Sequence, residues 1–182
     1  MDTVRTHEAS TALRDAAQSG QLKNWTQALT GVVVGTFQSI GWRGAAKGHR
    51  ADLLPIPREE YLALDAVAFE PAGDGRWQFP VAVFELENSP ADDLVAYSLW
   101  KVLCVRARLR VVFCYRRDAS QGSELVRHLS EQVLQPMDIG HRATIGGETL
   151  LIVGSRSETA TFPYGFFKDW SLDINTARFG RI

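Results

Sequence analysis

Apolar positions fall into alternating helical and strand-like blocks along the chain. Residues 8–18 carry a weak helical face of Ala12, Leu13, Ala16 and Ala17, with Gly20 as its stop. A stronger helix is expected from Asn24, as N-cap, through Trp25, Leu29, Val32, Val33, Phe37 and Ile40. Residues 41–50 form a Gly-, Arg- and Lys-containing loop, and Pro55 and Pro57 leave Leu53 and Leu54 extended or edge-like. A hairpin follows: strand 61–69, a turn at 71–75, and a returning strand from Trp77 to Leu86. Ser89 reads as an N-cap with Pro90 at the first helical position, opening a helix to about Ala107.

The run 109–115 is apolar apart from Arg110, as in a buried strand after its crossover helix. A helix over 120–134 ends near Pro136, residues 149–153 read as a strand, and 164–172 as an amphipathic strand or short helix. The aromatic stretch 162–170 suits either the core or a dimer surface. This order predicts an α/β fold with a mixed central sheet flanked by helices, in one domain over 1–182.

Within that pattern one stretch carries unusual chemistry. Val81-Ala82-Val83-Phe84-Glu85-Leu86-Glu87 is an apolar strand ending in two carboxylates one residue apart, which alternation places on the same face. Like charges at the end of an apolar strand repel, and loss of water raises the cost of both. Asp65 lies alone among apolar residues on the preceding strand. Three carboxylates from two strands make a hard-oxygen pocket suited to Mg²⁺ or Mn²⁺. The plainer reading is a solvated strand end whose acids cap amides or pair with arginines. A symmetric hairpin with Glu70 facing Trp77 would set Asp65 opposite Ala82, roughly 10 Å from Glu85. Sharing one cation then requires an asymmetric connection or a bulge, which Pro80 and the glycine turn supply.

These elements resemble the core of the PD-(D/E)XK nuclease superfamily, the restriction-endonuclease-like αβββαβ fold. The resemblance rests on the helix before the sheet, Asp65, the Glu85-Leu86-Glu87 motif, and the helix leading into strand 109–115. It covers about residues 24–115, with 116–182 as additions. It implies a metal-dependent phosphodiesterase, an endonuclease, in which Asp65 and Glu85 hold Mg²⁺ (or Mn²⁺) for hydrolysis of nucleic acid. The third motif position is usually Lys. Here it is Glu87, as in Glu-x-Glu members, and serves as a third acidic or metal-binding group. Lys101, on the following helix, is the candidate lysine, sharing a face with Asp93 and Tyr97. The alternative is a catalytically inactive member serving as an interaction or regulatory module.

A net charge of −1 gives no global attraction to polyanions, so a nucleic-acid partner must be held locally. Arg106, Arg108, Arg110, Arg116 and Arg117 bracket one strand, while Arg43, Lys47, His49 and Arg50 form a second basic group. DNA is the expected partner ahead of RNA, with room for a protein partner or a homodimer. Trp42, Trp77 and Trp100 are candidates for base stacking or, more simply, for packing. Cys104 and Cys114 both read as buried, reduced thiols, and with no signal peptide or bilayer-spanning run the expectation is cytoplasmic. Neither a zinc-ligand spacing, nor a Gly-rich phosphate loop, nor a serine-nucleophile elbow is visible.

Overall fold

A computed structural model describes residues 7–19, 22–71 and 75–182. Its strands follow the order β1 to β7 in a seven-stranded mixed sheet with flanking helices. The chain divides into two compact units, Met1–Phe84 and Glu85–Ile182.

In the first unit, α1 (His7–Ser19) packs on α2 (Leu22–Ser39) through the buried Leu13 and Ala16. α2 opens before Asn24, so that residue lies inside the helix and is not its cap. Trp25, Leu29, Val34 and Phe37 form its buried face, whereas Ile40 is exposed beyond its end. Gly20 lies outside the described residues.

β1 (Arg43–Ala46) occupies what the sequence reads as loop. A Cβ on Gly44 would stand 2.9 Å from Phe37 Cδ2, so the glycine lets the strand close against α2. Residues 53 and 54 are not a strand; Leu53 is buried beside a single bridge between Ala51 and Arg58.

β2 is shorter than expected, Ala66–Phe69. Leu62 and Ala63 take positive φ values of 59° and 53°, which turns the chain just ahead of the strand. β2 runs antiparallel to β1 and to β3 (Ala82–Glu87), with Ala66 paired to Phe84 and Ala68 to Ala82. The symmetric hairpin is therefore not formed. Residues 75–80 stay out of the ladder, with Trp77 and Phe79 exposed and Pro80 unable to donate, and the Val81 N–H makes the first bond to β2, at the Ala68 carbonyl (2.8 Å). Most of the expected turn, residues 72–74, lies outside the described residues.

In the second unit, α3 (Asp92–Leu103) packs on β4 (Leu109–Arg116), and α4 (Ala119–Leu129) packs on β4 and β5 (Glu148–Ser155). α3 starts later than its Ser-Pro signal, because the Ser89 hydroxyl accepts the Ala91 N–H in a local turn and Ala91 takes the cap position. It also stops at Leu103, short of Ala107; the Arg110 guanidinium donates to the Val105 carbonyl (3.0 Å) and the Gly146 carbonyl (2.7 Å). Cys104 consequently caps the helix and is exposed, against the expectation of a buried thiol, while Cys114 is buried.

The Asp118 carboxylate caps α4 by accepting the Gln121 N–H, which lowers its pKa. A π-helical turn, Ser130–Leu134, continues α4. A short α5 (Ile139–Thr144) and a final strand β7 (Arg178–Arg181) had no clear sequence signal.

β4 and β5 are parallel, and β5, β6 (Phe167–Asp173) and β7 are antiparallel. Phe166, Phe167 and Trp170 are buried, and Phe113, Tyr115, Phe162, Phe166 and Phe167 contact one another ring to ring. The aromatic stretch therefore builds the core of its unit. Among the described residues, no helix is long and apolar enough to cross a membrane.

Candidate functional site

The acidic end of β3 and the helix that follows it form a polar cluster in the second unit. Alternation points Glu85 and Glu87 to one face, and Glu85 is only 4 % exposed. A buried carboxylate needs a counter-charge. Lys101, near the end of α3, supplies it: Nζ lies 2.7 Å from Glu85 Oε2. The lysine stem snorkels past the helix, and its ammonium also stands 6.0 Å from the Tyr97 ring centre.

Glu87 is half-buried, and its Oε1 accepts the Ser89 N–H at 2.7 Å. That bond shapes the turn between β3 and α3 while leaving the carboxylate on Glu85's face. Asp92, in the first turn of α3, pairs with the buried Arg116 guanidinium at the end of β4; the same guanidinium donates to the Tyr115 carbonyl. This pair, between residues far apart in sequence, was not visible to sequence reasoning. Its only signal was a basic residue closing an apolar strand.

Cys114, buried on β4, lies near enough to Arg116, Asp92 and Glu87 to feel their charges. Burial pushes its thiol up to about 12; Arg116 opposes that shift, and Asp92 and Glu87 add to it. The buried thiol thus stays protonated beside the charged groups.

Of the four sequence-predicted site residues, Glu85 and Lys101 touch, and Glu87 shares their strand face. Asp65 belongs to the first unit, half-buried in the bend before β2 and not within a strand. The β2–β3 ladder there ends at Ala66 and Phe84, the chain neighbours of Asp65 and Glu85.

The basic bracket around β4 is partly consumed by the fold. Arg110 and Arg116 are buried on carbonyls and Asp92, leaving Arg106, Arg108 and Arg117 exposed. In the first unit, Lys47 and Arg50 are exposed and Arg43 and His49 half-buried. Trp77 and Trp100 are exposed and Trp42 is half-buried.

The carboxylates of Glu85 and Glu87, on one strand face, suit a hard divalent ion in kind. Among the described residues, no group of three or more His, Cys, Asp or Glu side chains is gathered closely enough to hold a metal. Any such ion would have to share Glu85 with Lys101. Comparison with protein-family models, with curated proteins and with solved structures finds nothing that matches this chain.

Proposed function

We propose that the chain is a Mg²⁺- or Mn²⁺-dependent nuclease-like phosphodiesterase acting on nucleic acid, DNA ahead of RNA. The observation that carries this reading is the 2.7 Å contact between Glu85 and Lys101, an acid on the motif strand meeting a lysine from the next helix. The element order α2, β1, β2, β3, α3, β4 supports it, since it has the helix–three strands–helix–strand succession of the PD-(D/E)XK core.

In this reading Glu85 and Glu87 would hold the cation. A divalent ion in such a place neutralises the anionic phosphate and makes bound water easier to deprotonate. Lys101 then has two tasks. Unliganded, its ammonium stands 2.7 Å from the nearly buried Glu85 carboxylate and balances its charge. With substrate, it offers a positive charge to a phosphate oxygen or orients the attacking water. Glu87 retains one oxygen on the Ser89 amide, which fixes its rotamer for proton transfer or ligation.

A second reading is a non-catalytic member of the same fold, serving as an interaction or regulatory module. Glu85 balanced by Lys101, and Glu87 bonded to the turn, are the arrangements that structural acids would adopt. The test is cleavage of single- and double-stranded DNA and RNA with Mg²⁺ or Mn²⁺, wild type against Glu85→Ala. Activity that depends on the ion and disappears in the variant is expected; equal activity in both would remove this site.

A further inference from the structure

α3 presents its outer face to a groove of about 480 Å³ closed on the far side by Val133, Pro136 and Met137. Asp93, Tyr97 and Trp100 line the helix side, at the four- and three-residue spacings that share one helical face. Tyr97 and Trp100 are 57 % and 51 % exposed. Their rings stack with centres 5.9 Å apart and planes inclined by 29°.

We propose that this groove binds an arginine side chain on a segment of a partner polypeptide. Charge complementarity selects the occupant. Asp93 is the single charged residue among those lining the groove; its side chain is 97 % exposed and faces His128 Nε2 at 3.8 Å. Tyr97 already stacks on Trp100 and has the Lys101 ammonium 6.0 Å from its ring centre, so a planar cation would lie on the half-exposed Trp100 ring while its N–H groups meet the Asp93 carboxylate. The apolar wall of Val133, Pro136 and Met137 suits the alkyl stem and the partner's neighbouring apolar residues.

A stacked nucleobase fits less well. It brings a phosphate beside the Asp93 carboxylate, which repels it. A compact ammonium gains less than a guanidinium, because it cannot lie flat on the rings. The proposal does not depend on the nuclease reading, since none of the groove's lining residues belongs to that site.

The experiment is a titration of the whole chain, followed by the Trp100 indole N–H resonance, which a Trp100→Phe sample assigns. The probes are a short blocked peptide with one arginine between apolar residues and the same peptide with citrulline, which keeps the shape and loses the charge. The arginine peptide is expected to shift the indole resonance, and citrulline or Asp93→Asn to weaken binding by about tenfold. Equal binding of the two peptides, or no shift at millimolar peptide, would overturn the proposal. So would displacement of the peptide from that indole by an oligothymidylate, which would mark a nucleic-acid stacking surface.

Discussion

Lys101 reaches back from α3 to place its ammonium 2.7 Å from the nearly buried carboxylate of Glu85 on β3. Removing one partner of such a pair leaves a charge without compensation in a low-dielectric setting. Lys101 is still 23 % exposed, so Lys101→Met is expected to cost about 2–4 kcal/mol, at or below the range for fully buried pairs. Removing both charges, in Glu85→Leu with Lys101→Met, is expected to recover much of that loss. Urea unfolding of the three proteins measures it; a single variant as stable as wild type would show that the pair is solvated and weak.

Glu87 separates structure from chemistry. Its Oε1 needs only to accept the Ser89 N–H, and a glutamine carbonyl does so equally well. Glu87→Gln should therefore shift stability by less than about 0.5 kcal/mol while lowering any metal-dependent cleavage. Thermal melting and the cleavage assay, run on one preparation, check both halves. Unchanged cleavage would leave Glu87 with its turn-forming role alone.

The two thiols should behave oppositely. Cys104 is exposed at the end of α3, and Cys114 is buried with its pKa raised from 9.0 to about 12. A thiol reagent at mildly alkaline pH is expected to modify Cys104 in the folded protein and both cysteines only after unfolding. Because the fold holds the Cys114 thiol protonated, the unfolded chain ionises first. Its contribution to stability is complete below pH 9.0 and is lost progressively as pH climbs toward 12. Cys114→Ala should lack that component of the alkaline loss; an identical pH profile would contradict the assignment.

Gly154, on β5, is required by packing. An added Cβ would stand 2.6 Å from Tyr115 Cδ1 and 2.8 Å from Phe166 Cε1, both rings of the buried aromatic cluster. Gly154→Ala is expected to destabilise the chain by about 1–3 kcal/mol, the usual cost of overpacking a core. Denaturant midpoints measure this, and a neutral result would show that the cluster yields easily.

The legible parts of the fold were those written in large apolar residues. The run that became β4 and the periodic face that became α4 were both visible. β1 was not, because Gly44, Ala45 and Ala46 lack the branched and aromatic side chains that mark strands, and its reason for existing is the close approach to Phe37. Ser89 and Pro90 announced a helix, yet local bonding from Ala91 and Ser89 delayed its start to Asp92.

At the site, Glu85 and Glu87 could be read from strand alternation, and Lys101 from its place on the following helix. The Asp92–Arg116 pair depends on bringing a helix start to a distant strand end, which spacing along the chain does not encode. The apolar pattern extends β2 back through Asp65, but the positive φ at Leu62 and Ala63 makes the strand begin just after Asp65.

Calorimetric titration with Mn²⁺, comparing the wild-type chain with Glu85→Gln, tests the central claim most directly. The account predicts a saturable isotherm for wild type within the millimolar range and a much weaker one for the variant. Absence of binding in wild type, or an isotherm unchanged by the substitution, would contradict it and leave Glu85 and Lys101 as a structural pair.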